Sequence, residues 1–179
     1  MRIIGGRLRG RTIKPPKDLP VRPTTDFAKE GLFNILSNRV DFEGLKVLDL
    51  FSGTGHMSLE FLSRGSNDVL AVDQNFKCVG FLRSVAAELS LNGVHTVKSD
   101  VFAFLKGCSG KFDLVFADPP YDLEQIPEIH RLVFERQLLA PGGLLIIEHG
   151  PRTSLSSLTG FQQQRKYGNV NFSFFEVVS

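Results

Sequence analysis

The feature that most constrains the fold is an alternation of short apolar segments with longer amphipathic ones, which begins near Leu45. The short segments suit buried strands, and the longer ones have the apolar spacing of helices. Strands that alternate with helices form a mostly parallel sheet with helices on both faces. We therefore predict an α/β fold in which the functional residues follow the carboxyl ends of the strands.

The predicted elements have bounds that caps and turn residues indicate. The expected strands are Lys46–Leu50, Val69–Val72, His95–Lys98, Phe112–Ala117 and Leu144–Glu148. The expected helices are Asp26–Ser37 (capped by Thr24 or Thr25), His56–Ser63, Phe76–Leu91, Val101–Leu105 and Ile126–Arg136. Asn92-Gly93 is expected to end the long helix, and Pro141-Gly142-Gly143 to turn the chain into the fifth strand. Two further strands, Phe161–Lys166 and Phe172–Val178, flank the hairpin signal Gly168-Asn169, so the seven-stranded sheet should end with an antiparallel strand.

The N-terminus is a basic arm on a mildly acidic body. Residues 1–25 hold seven Lys or Arg and one acid, a net charge of +6, whereas the remainder carries −4. We predict an arm at 1–24 and one domain at 25–179. Such a charge asymmetry indicates a polyanionic partner, although a solvated tail without a partner is an alternative of equal standing.

Within the arm, three arginines are spaced by two, at Arg7, Arg9 and Arg11. On an extended chain this spacing places them on one side, and the arginine fork can bind two phosphate oxygens. We therefore take the arm residues as candidate contacts to a polyanion, which the family resemblance given below implies to be RNA: Arg7, Arg9, Arg11, Lys14, Arg22 and Thr24.

The loop Asp118-Pro119-Pro120-Tyr121 follows the fourth predicted strand. Two consecutive prolines end the strand and stiffen the loop, with a carboxylate on one side and an aromatic ring on the other. A planar NH2 group can donate to Asp118 and to the carbonyl of Pro119 or Pro120 while its ring stacks on Tyr121. The loop thus suits capture of an exocyclic amine on a nucleobase. The alternative is a strand end that turns through prolines, with Asp118 as a helix cap.

Three acids, Asp49, Asp73 and Asp100, fall at the ends of three predicted strands, and Gly53 and Gly55 bend the first loop. A dinucleotide would need a third glycine at position 58, where this chain has a serine, and Asp49 would repel its phosphates. S-adenosylmethionine has the opposite needs. Asp49 would help to hold its cationic end, directly or through water. Asp73 would accept hydrogen bonds from two ribose hydroxyls, and Asp100, with the backbone of Val101, would bind the adenine amine. In the alternative interpretation these acids merely cap helices.

These motifs resemble the class I S-adenosylmethionine-dependent methyltransferases that modify amino groups. The arm pattern Gly5-Gly6-Arg7, Gly10-Arg11, Arg22-Pro23-Thr24, Lys29-Glu30 and Leu32-Phe33-Asn34 resembles the RsmD family, which methylates guanine N2 of 16S ribosomal RNA. The resemblance implies a Rossmann-like fold and S-adenosylmethionine as cofactor. It implies catalysis by Asp118, Pro119, Pro120 and Tyr121, and a cofactor site formed by Asp49, Phe51, Ser52, Gly53, Gly55, Asp73, Gln74, Asp100 and Val101. Two departures are His56, where the family usually has a small residue, and Lys29, where Arg is common, so that a phosphate contact at this position is expected to be altered.

The resemblance also implies a partner and a cellular location, and it leaves alternative functions open. We expect 16S ribosomal RNA or a small-subunit particle as partner, a monomer, and no metal. Cys78 and Cys108 have no metal-ligand spacing, and the basic N-terminus is no signal peptide, so we expect free thiols, no membrane and a cytoplasmic protein. The rivals are a DNA adenine or cytosine methyltransferase, for which a target-recognition domain is missing, and a protein glutamine methyltransferase, which usually begins the loop with Asn. A third is a non-catalytic RNA-binding scaffold.

Overall fold

The alternating pattern folds into one layered sheet. The computed structural model describes residues 1–19 and 24–177. Its elements are α1 (Asp26–Ser37), β1 (Lys46–Leu50), α2 (His56–Ser63), β2 (Asp68–Asp73), α3 (Phe76–Glu88), β3 (Val94–Lys98), α4 (Val101–Gly107), β4 (Phe112–Ala117), α5 (Ile126–Glu135), β5 (Leu139–His149), β6 (Phe161–Tyr167) and β7 (Val170–Glu176).

Within the described residues the seven strands form a single sheet in the order β3-β2-β1-β4-β5-β7-β6. Strands β1 to β5 pair in parallel, whereas β7 is antiparallel to both of its neighbours, β5 and β6. The predicted mostly parallel sheet with an antiparallel C-terminal strand is confirmed. The hairpin turn is also confirmed, because Tyr167 pairs with Val170 across Gly168-Asn169.

Two hydrophobic cores cover the two faces of the sheet. Successive strand residues point to opposite faces, and accordingly Val47 packs in one core while Leu48 and Leu50 pack in the other. Helices α1, α2 and α3 supply the first core, and α4 and α5 supply the second. The strand order reverses between β1 and β4, which lie side by side at the centre of the sheet. A crevice for a ligand is expected beyond the carboxyl ends of these two strands.

The arm packs on α2 and completes the fold there. Every residue of α2 is buried, including the polar Ser58, Glu60 and Ser63. Glu60 accepts hydrogen bonds from the backbone N–H groups of Ile4 (3.0 Å) and Gly5 (2.8 Å). The Ser63 carbonyl accepts from the N–H of Arg7 at 2.8 Å. A helix whose polar residues are all buried needs such donors, so the arm is part of the packed structure from Ile3 onward, where the side chain is only 2% exposed.

Helix α1 begins where the capping pattern indicates. Thr25, rather than Thr24, is its N-cap, and its hydroxyl oxygen accepts a hydrogen bond from the Ala28 N–H at 3.2 Å. The predicted bounds of α1, α2, β1 and β4 agree with the structure. Because Thr25 caps the helix, the hydroxyl of Thr24 makes a different contact, in the site described below.

Two predicted bounds were wrong for identifiable reasons. Helix α3 ends at Glu88, because Ser90 adopts a left-handed φ of 55° and the Leu91 N–H bonds to the Ala86 carbonyl at 2.8 Å, a helix-ending motif that needs no glycine. Strand β5 begins at Leu139, because Pro141-Gly142-Gly143 forms a bulge within the strand instead of a turn before it. The predicted residue Val178 of the last strand lies outside the described residues.

Candidate active site

A cavity of about 1020 Å³ opens at the carboxyl ends of the central strands. All four residues of the Asp118–Tyr121 loop line it. Seven of the nine predicted cofactor residues also line it: Phe51, Ser52, Gly53, Asp73, Gln74, Asp100 and Val101. A second, more open cavity of about 660 Å³ lies beside α5 around His130 and Phe134 and contains none of the predicted site residues. The first cavity is therefore the candidate active site.

The loop between β1 and α2 is shaped by left-handed backbone. Phe51, Gly53 and Gly55 have φ values of 58°, 52° and 82°. Phe51 is unusual because a side chain disfavours this conformation, and such strain is concentrated at functional sites. A Cβ on Gly55 would lie 2.4 Å from Leu82 Cδ1, so glycine is required there both by φ and by packing. The loop thereby exposes its backbone to the cavity.

The carboxylate of Asp73 is oriented by the same loop. Its Oδ2 accepts a hydrogen bond from the Gly53 N–H and its Oδ1 from the Asn75 N–H, both at 2.9 Å. Each carboxylate oxygen has a second lone pair, so Asp73 can still accept from two ligand hydroxyls. The backbone holds the acceptor in place before any ligand arrives.

Asp49 and Gly55 are the two predicted cofactor residues that the structure does not place on the cavity wall. Asp49 is 1% exposed, and its Oδ2 accepts a hydrogen bond from the Ser58 hydroxyl at 2.6 Å. Burial raises the pKa of Asp49 to about 7, and the charge of Asp73 acts in the same direction. Asp49 therefore lies behind the loop, covered by α2, rather than against a bound ligand.

Asp100 is both a helix cap and a residue of the cavity wall. It lines the cavity, and its Oδ1 also caps α4 by accepting from the Ala103 N–H at 2.9 Å. The cap occupies one of its two oxygens. Phe102 packs edge-on against Phe51 with ring centroids 6.2 Å apart, which forms an apolar wall next to this acid.

The Asp118–Tyr121 loop is fixed at both ends. The Asp118 N–H donates to the Leu50 carbonyl at 3.2 Å, and the Leu123 N–H donates to the Pro120 carbonyl at 3.1 Å. Because the Pro120 oxygen already accepts within the loop, the Pro119 carbonyl is the better acceptor for a bound amine. The Tyr121 ring lies against Gly150, where an added Cβ would be 2.9 Å from it.

Glu148 is a site residue that the sequence analysis missed. It lies near the end of β5, is 3% exposed and lines the cavity. Its Oε1 accepts from the Tyr121 hydroxyl at 2.7 Å and its Oε2 from the Thr24 hydroxyl at 2.9 Å. Burial raises the pKa of Asp118 well above its ordinary value, and a hydrogen bond and charge from Glu148 add to the effect. An acid at the end of a predicted strand was the available signal, the same one that indicated Asp73.

The hairpin tip is the second part that was missed. Asn169 and Val170 line the cavity, since the hairpin folds back so that Tyr167 packs on Gly31 of α1 and edge-on to Phe27 at 5.6 Å. No local pattern identifies this contact, because it depends on the position of β6 and β7 at the sheet edge.

The arm differs from its prediction in conformation. Arg7, Arg9, Arg11 and Lys14 are exposed, as RNA contacts require. The chain from residue 5 to 10 consists of bends and turns, however, so the expected extended conformation that aligns the arginines on one side was wrong. Three glycines in six residues favour turns over a strand. Arg22 lies outside the described residues, and Thr24 is in the cavity wall, bonded to Glu148, rather than among the arginines.

The two departures from the family pattern also have defined places. Lys29 is 2% exposed, and its ammonium lies 3.4 Å from Glu60 and donates to the Arg2 carbonyl at 2.6 Å. The expectation of an altered phosphate contact at Lys29 was therefore wrong, because burial removes the residue from reach. His56 lines the cavity, and burial, with the nearby charge of Lys29, lowers its pKa to about 3. His56 therefore presents a neutral imidazole.

Across residues 1–19 and 24–177, no group of three or more potential ligand side chains is arranged to hold a metal ion. In the same ranges, none of the helices has the length and apolar character needed to cross a bilayer.

Comparisons with known proteins assign the chain to a family. The family model described as conserved hypothetical protein 95 matches residues 1–176. The Bacillus subtilis (strain 168) protein YlbH, provisionally described as an rRNA methyltransferase, is 32% identical, with 98% of each chain covered. The ribosomal RNA small subunit methyltransferase D of Escherichia coli (strain K12) is 28% identical and is covered over 89% of its length by 98% of this chain.

A solved structure agrees in fold. The Thermus thermophilus 16S rRNA N2 G1207 methyltransferase RsmC, in complex with AdoMet and guanosine, has a TM-score of 0.74 at 24% identity, over 98% of this chain and 49% of that one. The Rossmann-like methyltransferase architecture predicted from the sequence is thus confirmed. The family match extends from the arm to the last strand, so it covers both the fold and the site. The chain belongs to the RsmD family of S-adenosylmethionine-dependent methyltransferases.

Proposed function

We propose that this protein transfers a methyl group from S-adenosylmethionine to the exocyclic N2 amine of a guanine in small-subunit (16S) ribosomal RNA. The observation that carries the proposal is the placement of the Asp118–Tyr121 loop and the acids Asp73 and Asp100 on one cavity. The relatives' names support an RNA substrate and the geometry supports an amine as acceptor.

The residues present fit S-adenosylmethionine. Asp73 has acceptor positions for the ribose hydroxyls, and Asp100 with the backbone of Val101 for the adenine amine. Phe51 and Phe102, packed edge-on against each other, form an apolar part of the same cavity wall. When bound, this cofactor supplies a methyl group activated by a positively charged sulfur. Asp49, behind the loop, adds negative charge without direct contact as the pH rises through its raised pKa of about 7.

The Asp118–Tyr121 loop prepares the acceptor. An exocyclic guanine amine is a weak nucleophile because its lone pair is delocalised into the ring. Asp118 and the Pro119 carbonyl accept hydrogen bonds from its two N–H groups, which turns the nitrogen lone pair out of the ring plane and aims it into the cavity. The nitrogen would gain the methyl group as the bond between methyl and sulfur breaks, leaving a neutral thioether. Methylation would make the nitrogen acidic, so it would then lose one N–H proton to water. Most of the rate enhancement then comes from positioning and fixed charges. Tyr121 stacks on the withdrawn base, which contributes about 1–3 kcal/mol.

The arm supplies affinity without sequence readout. Arg7, Arg9, Arg11 and Lys14 are exposed and free of the buried ion pairs that hold the arm on α2. Cations of this kind bind phosphates, so RNA affinity should fall as salt rises. We also propose that the arm at 1–24 and the domain at 25–179 are functionally distinct and that one chain suffices for activity. A cytoplasmic location follows from the proposed ribosomal substrate.

The test is methyl transfer from radiolabelled S-adenosylmethionine by the purified protein. Small-subunit ribosomal RNA, duplex DNA and a glutamine-containing peptide serve as competing acceptors. We expect label only in RNA, as N2-methylguanine, and loss of that label in Asp118→Ala, which removes the acceptor oxygens, with cofactor affinity retained. Asp122→Ala, which changes an exposed acid four residues along the same loop region, is the matched control. Label in DNA or peptide, or full turnover by Asp118→Ala, would overturn the proposal.

A further inference from the structure

Glu148 joins three separate parts of the chain at the active site. It is 3% exposed and lies on β5, and its two oxygens accept from two different hydroxyls, that of Tyr121 at 2.7 Å and that of Thr24 at 2.9 Å. Tyr121 belongs to the loop after β4, and Thr24, at the end of the basic arm, immediately precedes Thr25, the N-cap of α1. Thr24 and Glu148 are 124 positions apart, so this contact exists only in the folded protein.

A second carboxyl group completes the arrangement. Burial raises the pKa of Asp118, and the charge and hydrogen bonding of Glu148 raise it further, because two neighbouring carboxyl groups repel each other when both are ionised. The hydroxyls of Tyr121 and Thr24 both donate to Glu148 and so favour its charged form. Asp118 is therefore the carboxyl group that holds its proton more readily. Asp49, from β1, also raises the pKa of Asp118 when Asp49 is ionised.

We infer that Glu148 is a positioning residue for methyl transfer: it orients Asp118 and Tyr121 around the acceptor amine and, through Thr24, links the end of the RNA-binding arm to the catalytic loop. This inference rests on the proposed function. In it, Glu148 does not touch the reacting atoms. It holds the acceptor oxygens of Asp118 and the ring of Tyr121 in the positions that the acceptor base requires. Its bond to Thr24 connects that geometry to the RNA-binding arm.

The arrangement has a measurable signature in pH. Asp118 accepts the amine N–H best when it is ionised, so activity should fall on the acidic side as Asp118 gains its proton. The Glu148→Gln substitution removes the neighbouring negative charge, which lets Asp118 lose its proton at lower pH. The acidic limb of the kcat profile should therefore move to lower pH. The same substitution leaves one amide oxygen for two hydroxyls, so the maximum kcat should also fall.

The experiment compares the wild-type protein with two variants, Glu148→Gln and Thr24→Val, the second of which removes only the hydrogen bond from Thr24 to Glu148. The matched control is Glu124→Gln, at an exposed acid. For Glu148→Gln we expect a fall of about tenfold or more in maximum kcat with KM for the cofactor unchanged, because small misplacements cost this much. We expect the acidic limb of the kcat profile to move to lower pH by about one unit or more, because the negative charge next to Asp118 is lost. Thr24→Val should lower kcat without moving the limb.

A readout without substrate separates this inference from the proposed function. Carbon-13 NMR of labelled aspartate in the free protein follows the titration of Asp118, and thermal unfolding confirms that each variant is folded. We expect the Asp118 signal to titrate at lower pH in Glu148→Gln than in the wild type. An unchanged titration in a folded variant, or an unchanged kcat and limb, overturns the inference. Absence of methyl transfer in the wild type would instead overturn the proposed function while the titration still tests the pair.

Discussion

Replacing Glu60 offers the sharpest test of how the arm is held on the body. Glu60 is fully buried and faces the ammonium of Lys29 at 3.4 Å and the guanidinium of Arg64 at 3.0 Å. It also accepts the backbone N–H groups of Ile4 and Gly5. In Glu60→Gln the charge is lost, and a single amide oxygen cannot accept all four donors. The ammonium of Lys29, only 2% exposed, is then left without its main counter-charge.

The magnitude follows from removal of one member of a buried ion pair, which costs about 3–5 kcal/mol. For a chain of this length each kcal/mol corresponds to about 2–4 °C in Tm, so Glu60→Gln should melt roughly 6–20 °C lower. Burial already lowers the pKa of Lys29, and loss of Glu60 lowers it further. A buried neutral Lys29 costs less free energy than a buried unpaired cation. The stability that Glu60→Gln loses relative to the wild type should therefore become smaller as the pH rises through the lowered pKa of Lys29.

The assay is urea and thermal unfolding followed by far-ultraviolet circular dichroism, since the chain contains no Trp for fluorescence. Hydrogen exchange at the Ile4 and Gly5 amides reports the arm locally. The double variant Glu60→Gln/Lys29→Met removes both charges and should be more stable than Glu60→Gln alone. Glu88→Gln, at an exposed acid, is the control. A Tm loss below about 2 °C with unchanged exchange, or a double variant less stable than the single, would refute the reasoning.

Three further predictions test other parts of the account. Asp73→Asn has one acceptor oxygen and cannot accept from both the Gly53 and the Asn75 N–H groups. Its affinity for S-adenosylmethionine, measured by calorimetry, should fall by roughly 10- to 150-fold, which corresponds to the loss of one hydrogen bond to a charged group. An unchanged affinity would contradict the proposed cofactor site. The triple change of Arg7, Arg9 and Arg11 to Ala should lower the slope of log K against log salt for RNA by about 2, with Arg131→Ala on α5 as control, and an unchanged slope would remove these arginines from the interface. Because the pKa of Asp49 is raised from 3.8 to about 7, its contribution to stability is present below pH 3.8 and is lost as pH rises to 7, a change of up to about 4 kcal/mol; unfolding of Asp49→Asn should lack this component, and parallel pH profiles of the two proteins would contradict it.

The elements that the sequence predicted well have local causes. Helix α1 begins after a threonine cap, and β4 ends where Asp118-Pro119-Pro120 cannot continue a ladder, so both were located from a few neighbouring residues. The end of α3 was misplaced because Ser90 adopts a left-handed conformation that glycine or asparagine usually takes. The start of β5 was misplaced because a bulge and a turn share the same Pro-Gly-Gly composition.

The site was predictable where a residue acts at the end of its own strand. Asp73, Asp100 and the Asp118–Tyr121 loop were all identified in this way and line one cavity. Glu148 carried the same strand-end signal, but its contacts with Thr24 and Tyr121 appear only in the folded chain. The hairpin tip at Asn169 has no local signal, because its contact with α1 is remote in sequence. An altered phosphate contact was expected at Lys29, but the arm that packs beside α2 buries this residue.

The central claim is that the rigid loop at Asp118 presents a guanine amine for methylation. The most direct measurement is mass spectrometry of nucleosides from small-subunit ribosomal RNA of cells that lack this gene and carry either the wild-type copy or Asp118→Ala. The account predicts that one N2-methylguanosine disappears with the gene, returns with the wild-type copy and stays absent with Asp118→Ala. Its persistence in the deletion strain, or its return with Asp118→Ala at normal protein levels, would contradict the account.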